Sequence, residues 1–252
     1  MIMKNFFTFF LFLFCSLSLT AQYWQQAVDY TMTVSLDPET ANYSGTQKLV
    51  YTNNSPETLH KVFYHLYFNA FKPGSEMAVQ LKNSPDRNTR FSVNLDTLSL
   101  ESQGALRVSD LTQDGVLVKT IDAETILEVT LNKPIPPGGS STFELNFEGH
   151  VPDVIRRAGK NSEEGVAFSM AQWYPKMAEY DVEGWNADPY IGREFHGVWG
   201  DFDVKITLDK DFMVAASGYL QNADDIGKGY SERKRPKTKK GEITWHFIAP
   251  QV

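Results

Sequence analysis

Hydrophobic residues recur at every second position over long stretches of this chain. From Asp29 to Asp37, Tyr30, Met32, Val34 and Leu36 share one face while Thr31, Thr33 and Ser35 share the other, the period of a strand with one buried and one wet side. Pro38 ends it. Asn42 to Thr52 alternates again and runs into the turn cluster Asn53-Asn54-Ser55-Pro56. Leu59 to Phe71 is apolar on both faces, as a central strand covered on both sides would be. Lys72 to Asn94, rich in Pro, Gly, Asn and Ser, predicts either a long loop or a short helix.

Val93 to Glu101, Ala105 to Leu111, Val116 to Ile121 and Ile126 to Leu131 are short, β-branched and closely spaced, as in an all-β sandwich. Pro134-Ile135-Pro136-Pro137-Gly138-Gly139 turns the chain into Ser141 to Phe147, where Phe143, Leu145 and Phe147 face one way. Val151 to Glu164, with Arg156, Arg157 and Lys160, reads as an exposed loop. Strand alternation returns at Asp203 to Leu208 and at Glu242 to Ile248, where Ile243, Trp245 and Phe247 form the apolar face. Between them, Asp224 to Gly241 carries Lys228, Arg233, Lys234, Arg235, Lys237, Lys239 and Lys240, which reads as a solvated hairpin loop rather than a polyanion patch. No long helical period and no internal repeat appear. The fold class this predicts is all-β, a sandwich of mostly antiparallel strands.

Composition divides the chain in two. Residues 1–21 begin with Lys4, continue through an apolar run from Phe6 to Phe14 and end Leu19-Thr20-Ala21, the layout of a secretory signal peptide with the mature chain starting at Gln22. The apolar run is too short for a spanning helix, and no later segment reaches that length. The expected organisation is therefore a signal peptide over residues 1–21 and one β domain over residues 22–252, exported to the periplasm or outside the cell. The only cysteine, Cys15, lies inside the signal, so the mature chain has no thiol or disulfide; Phe14, where a lipoprotein signal has a small residue, argues against lipid attachment there. The formal charge is -7, and loss of Lys4 makes it -8. A surface this acidic argues against nucleic acid as a partner.

Glu164 to Gly218 is where aromatics, acids, prolines and glycines crowd together, and it reads as the functional stretch. It holds Trp173, Trp185 and Trp199, three of the chain's five tryptophans, beside Tyr174, Tyr180, Tyr190, Phe195 and Phe202. Rings this dense predict a packed aromatic layer, with Trp173 and Trp199 largely buried. The run Gln172-Trp173-Tyr174-Pro175 to Asp181, then Gly200-Asp201-Phe202-Asp203-Val204-Lys205-Ile206-Thr207-Leu208, then Phe212 to Gly218, resembles the amino-terminal domain of the aminopeptidase N-like zinc metallopeptidases. Upstream, Tyr30 to Asp37, Tyr43-Ser44-Gly45, Val62 to Asn69, Leu131 to Gly138 and Phe147-Glu148-Gly149 follow in the order that domain shows, so the resemblance covers most of Val28 to Val252. It implies a saddle-like β-sandwich. It also implies a downstream catalytic domain, absent from this chain, that would hold the zinc.

The catalytic motif of that family, two histidines and a glutamate as H-E-x-x-H, does not occur here. The histidines are His60, His65, His150, His196 and His246; His60 and His65 stand five residues apart on a strand and face opposite ways, so they do not pair on one metal. There is no G-x-S-x-G, and Gly227-Lys228-Gly229 lacks the remainder of a dinucleotide loop. Asp201 and Asp203 share a strand face beside Lys205, a turn-and-strand arrangement rather than a glycosidase pair. The chain as it stands is therefore not expected to be catalytically competent.

The resemblance implies one substrate contact. Gln172 matches the Gln or Glu with which the amino-terminal domain of such enzymes helps hold the free amino end of a peptide substrate, with Glu163 and Glu164 as weaker candidates. The bland reading of Gln172 is a buried amide satisfying backbone groups. Two functions of different class follow. One is a non-catalytic domain that packs on a zinc-bearing partner domain and shapes the pocket for the substrate's amino terminus. The alternative is a free-standing secreted binding module for carbohydrate or peptide, with Trp173, Trp185 and Trp199 as an aromatic platform. Exposure separates them, because a platform needs at least two coplanar rings on the surface.

Overall fold

The computed structural model describes residues 23–83, 94–153, 158–191, 197–232 and 236–252. The signal peptide with Cys15, the start at Gln22, and Arg156, Arg157, Phe195, His196 and Arg233 to Arg235 lie outside the described residues.

The first alternation becomes β1 (Ala27–Asp37), with burial switching at every residue, and the second becomes β2 (Asn42–Thr52). They pair antiparallel in unbroken register from Ala27↔Thr52 to Asp37↔Asn42. After β3 (Leu59–His65) come β4 (Ala105–Gln113), β5 (Val116–Leu117), β6 (Lys119–Ala123), β7 (Ile126–Ile135) and β8 (Ser140–His150). Four two-residue strands follow: β9 (Gly159–Lys160), β10 (Phe168–Ser169), β11 (Lys176–Met177) and β12 (Tyr180–Asp181). The chain ends with β13 (Gly184–Trp185), β14 (Gly200–Asp209), β15 (Tyr219–Leu220) and β16 (Glu242–Ala249).

The main sheet has eight strands in the order β15-β16-β14-β1-β2-β8-β4-β5, and a four-stranded sheet has the order β11-β3-β7-β6. Among the paired strands only β1 and β14 run parallel, so the sandwich is mostly antiparallel, as its alternation predicts. The small sheet packs on the apolar face of the large one; Tyr64 of β3 meets Phe143 of β8 edge-on at 6.5 Å between ring centres. Tyr30, Met32, Leu49, Tyr51, Phe143 and Phe147 of the large sheet and Val62, Tyr64 and Val129 of the small one make a single continuous core. The opposite face of the large sheet stays wet and carries hydroxyl pairs such as Thr33 with Thr46 and Thr207 with Thr244, each 2.8 Å apart.

Several boundaries differ from the sequence reading, each for a local reason. The strand from Leu59 stops at His65, and Tyr67–Ala70 form a fully buried 3-10 turn, so their two-sided apolarity reflects burial of a turn. Val93 to Glu101 is no strand in its described part. Leu95–Thr97 and Leu100–Ser102 are 3-10 turns, the first held by the Asn94 side chain accepting from the Asp96 amide at 3.1 Å. Val116 to Ile121 divides into β5 and β6, which belong to different sheets. Within Lys72 to Asn94 the short helix is the form adopted, over Glu76–Asn83. Val151 to Glu164 is not wholly a surface loop, since Val151 and Ala158 are buried and Gly159–Lys160 pair with β10. The polar segment from Asp224 opens with a helical turn, Ala223–Ile226, whose Ile226 is completely buried and ties the loop down.

Candidate functional site

The aromatic stretch lies on the apolar face of the large sheet, and side chains of β1 and β2 hold its backbone from behind. Tyr43 Oη donates to the Trp173 carbonyl at 2.6 Å, Gln47 Nε2 donates to the Pro175 carbonyl at 2.9 Å, and the Met177 amide donates to Tyr30 Oη at 2.8 Å. All three donors and acceptors on the sheet belong to buried residues. The segment from Trp173 to Met177 is thus fixed on a rigid surface before β11 joins the edge of β3 through Lys176↔His65 and Met177↔Tyr64.

Two glycines seat this segment. Tyr43 lies opposite Gly149, and Phe147 opposite Gly45, across the β2–β8 pair. Each ring folds over the glycine facing it: a Cβ on Gly149 would stand 2.1 Å from Tyr43 Cζ, and one on Gly45 would stand 2.5 Å from Phe147 Cζ and 2.3 Å from the Thr33 carbonyl. The two rings then flank Trp173 at 6.1 and 6.0 Å between centres. This explains why Tyr43-Ser44-Gly45 and Phe147-Glu148-Gly149 occur as they do. Neither ring can swing away freely, because Tyr43 is buried and tied to Trp173 and the Thr33 carbonyl is part of a ladder. Gly149→Ala and Gly45→Ala are each expected to cost about 1–3 kcal/mol, the usual range for overpacking a tight core. Denaturant midpoints at an unchanged slope check this.

Gln172 sits at the exposed edge of the fixed segment with φ +60°, in the left-handed region that non-glycine residues enter at a cost. Its side chain is half-buried and makes no hydrogen bond among the described residues. It is therefore not an amide consumed in satisfying backbone groups. Glu163 and Glu164 lie apart from the fixed segment, on an exposed turn between β9 and β10.

Behind this edge lies a buried polar cluster that the sequence did not signal. Glu179 is only 8% exposed, and burial, helped by Asp181 and opposed by Lys176, pushes its carboxyl up to about 7. His65, 4% exposed, bonds Nε2 to the Asn186 carbonyl at 3.0 Å, while its Nδ1 is buried with no partner among the described residues. Burial lowers its imidazole to about 4, with Lys176 adding to that and Asp188 opposing it. Burial also lowers the Lys176 ammonium, and Glu179 opposes it. Asp181 accepts from the Glu183 amide and from Asn186 Nδ2.

The tryptophans divide by position. Trp173 and Trp185 are half-buried and angled against other rings, Trp185 at 52° to Tyr180 and 59° to Phe63. Trp199 is 61% exposed, contrary to its expected burial. It precedes Gly200, beyond the alternation that turns Phe202, Val204 and Ile206 toward the core, so no facing layer covers it. These three rings form no coplanar surface pair. The fully buried tryptophan is Trp245, on β16. Asp203 also has a partner other than Lys205: it bonds His246 Nε2 at 2.7 Å, while Asp201 accepts from the Gln251 amide. His60 is exposed and His65 buried, and a register irregularity between Leu59 and Lys61 interrupts the strict alternation at His60.

Among the described residues no group of three or more His, Cys, Asp or Glu gathers closely enough to hold a metal ion. Among them, too, no helix is long and apolar enough to cross a membrane.

The same architecture occurs in solved structures of an M1 zinc metallopeptidase from Deinococcus radiodurans. One is a glutamate-to-alanine mutant bound to a Tyr-Ser-Ala substrate, 18% identical with TM-score 0.50, the match covering 89% of this chain and 39% of that one. This chain has the fold of an M1 zinc metallopeptidase segment. A second structure of the Deinococcus M1 peptidase, without the mutation, gives 17% identity and TM-score 0.50 over 89% of this chain and 39% of that one. A two-domain M1 zinc metallopeptidase mutant bound to L-tryptophan gives 18% identity and TM-score 0.50, over 90% of this chain and 40% of that one. The chain thus spans about two fifths of the length of the M1 structures it matches. No family model and no curated protein matches the sequence.

Proposed function

We propose that this chain is the non-catalytic amino-terminal β domain of a secreted zinc metallo-aminopeptidase, packing on a catalytic domain and shaping the end of the pocket that takes the substrate's amino terminus. The observation that carries the reading is the fixed segment around Gln172: its backbone is anchored from β1 and β2, its conformation is strained, and its amide tip is left uncommitted. An amide oxygen placed so can accept from a peptide's ammonium group. The described residues do not fit a zinc site, so the metal and the activated water belong in this reading to the partner domain.

A partly covered apolar strip supports the packing role. Phe202, Val204 and Ile206 of β14, with Tyr174, Phe212 and Val214, lie against the core yet remain half-exposed, and Trp199 and Met213 nearby are each 61% exposed. An incomplete cover of this kind marks a surface that another domain completes. The leader over residues 1–21 supports export.

The test compares this chain with a longer protein in which a zinc-bearing domain is joined to it. The chain by itself is expected to give no turnover of aminoacyl amides with added zinc and no stoichiometric zinc binding by calorimetry, whereas the joined protein gives chelator-sensitive activity. In the joined protein, Gln172→Ala is expected to raise KM about tenfold or more, the loss of one hydrogen bond to a charged group. The same substitution should leave stability within about 0.5 kcal/mol, since no internal bond is broken. Chelator-sensitive activity from the chain alone overturns the reading.

A further inference from the structure

A cleft of about 360 Å³ opens on the side of the molecule where β4 begins, β8 ends and the β6–β7 turn comes round. Its walls are tied together by Asn69, 8% exposed, whose amide donates to the Leu106 and Glu124 carbonyls at 3.0 and 2.8 Å and accepts from the Leu106 amide at 2.8 Å. The cleft is therefore built from within.

Two cations, Lys72 and Arg107, and two carboxylates, Asp122 and Glu124, line it together with His150. The opposite charges do not pair with one another. Among the described residues, neither the Lys72 nor the Arg107 side chain makes a hydrogen bond or ion pair, although Glu148 stands opposite Arg107 on β8. Asp122 Oδ1 accepts from the Glu124 amide at 3.0 Å and leaves its other oxygen open, while Glu124 accepts from the Glu76 amide with both oxygens at 3.3 Å. His150 Nδ1 must donate to the Gln103 carbonyl, 2.7 Å away, so in the neutral ring Nε2 presents a lone pair. One cleft thus holds two cations with no side-chain partner beside two carboxylates, of which Asp122 keeps an oxygen open and Glu124 shares a single amide donor.

A simple anion or cation would meet repulsion from half of these groups, whereas a molecule carrying both charges can satisfy both sets. We propose that this cleft binds a small amino-acid zwitterion, its carboxylate on Lys72 and Arg107 and its ammonium on Asp122, Glu124 and His150 Nε2. The proposal does not depend on the peptidase reading, because the cleft uses none of the residues around Gln172.

Titration of the chain with glycine, L-alanine and alanyl-alanine, followed by calorimetry and by amide chemical shifts, tests it; the free amino acids and the dipeptide differ in the spacing of their charges. Saturable binding of at least one zwitterion is expected, with shifts centred on Ala105 to Arg107 and Asp122 to Glu124. N-acetylalanine and alaninamide, each lacking one charge, should bind at least tenfold more weakly. Arg107→Gln and Asp122→Asn should each weaken binding by a similar factor. Asp122→Asn keeps the oxygen that receives the Glu124 amide, so an unchanged unfolding midpoint certifies the fold. No saturable binding of any zwitterion, equal binding of the one-charge analogues, or unaltered binding by both variants overturns the proposal.

Discussion

Trp245→Ala is expected to lower the unfolding free energy by about 3–5 kcal/mol, the range for deleting a large buried ring, whereas Trp199→Ala leaves it within about 0.5 kcal/mol. Trp245 is fully enclosed, 5.7 Å centre to centre from Tyr230 and lying over Phe247, with Ile243 and the anchored Ile226 also buried in that region. Its removal leaves a cavity under the Asp224 to Gly241 segment. Its indole Nε1 is buried with no partner, so Trp245→Phe gives up some volume but also removes a donor whose burial is costly. That substitution should cost clearly less than the alanine. Denaturant midpoints of the three variants decide the matter. A large loss with Trp199→Ala in the isolated chain would show that the ring is covered and not available to a second domain.

The contrast between these tryptophans shows what was legible in the sequence. Trp245 stands at an apolar position of a clean alternation between Ile243 and Phe247, and period alone places it inside. Trp199 has no such phase, and aromatic density around it said nothing about which ring is covered. The same holds for the fold at large. β1, β2, β8 and β16 are long and alternate, so most of the large sheet was legible from period, while β14 alternates in sequence but stays partly exposed on both faces. Tyr67–Ala70 is a short buried run, where burial of a turn and burial of a strand look alike, and Leu95–Thr97 buries Leu95 alone, too little for any period to show.

At the site, the motifs drew notice to Gly45, Gly149 and Gln172 without the geometry around them. Gly45 and Gly149 are needed because each faces a ring two strands of core depend on, and only the register Tyr43↔Gly149 and Phe147↔Gly45 reveals it. Gln172 is singled out by resemblance, while its left-handed backbone, shared with eight other non-glycine residues among those described, has no sequence signature. The two buried groups His65 and Glu179 went unread because nothing along the chain marks either as buried. A lone acid within Met177-Ala178-Glu179 was the only hint, and its meaning depends on β11 pairing with β3.

Each of these two groups gives stability a dependence on pH. Glu179 has a folded value near 7, above the ordinary 4.5, so the folded chain holds an extra proton; its contribution is complete below about 4.5 and disappears as pH rises to 7. His65 has a folded value near 4, below the ordinary 6.5, so its contribution is complete above about 6.5 and disappears as pH falls to 4. Each shift is worth about 3 kcal/mol at most. Between pH 4.5 and 6.5 the two slopes oppose each other, and the stability of the chain should be nearly flat. Glu179→Gln leaves the histidine alone, so stability should climb by up to about 3 kcal/mol from pH 4 to 6.5. His65→Gln leaves the carboxyl alone, so stability should fall by a similar amount from pH 4.5 to 7. Lys176 is also shifted, but a lysine lowered from 10.5 acts on the alkaline side of this window. Urea midpoints at pH 4.5, 5.5 and 6.5 for the three proteins measure the slopes directly. Parallel profiles for all three would mean that neither group is held in its buried protonation state. Opposite slopes in the two variants, around a flat parent, are the signature of a balanced pair, which would keep the segment leading from Gln172 into β12 steady across the acid side of neutrality.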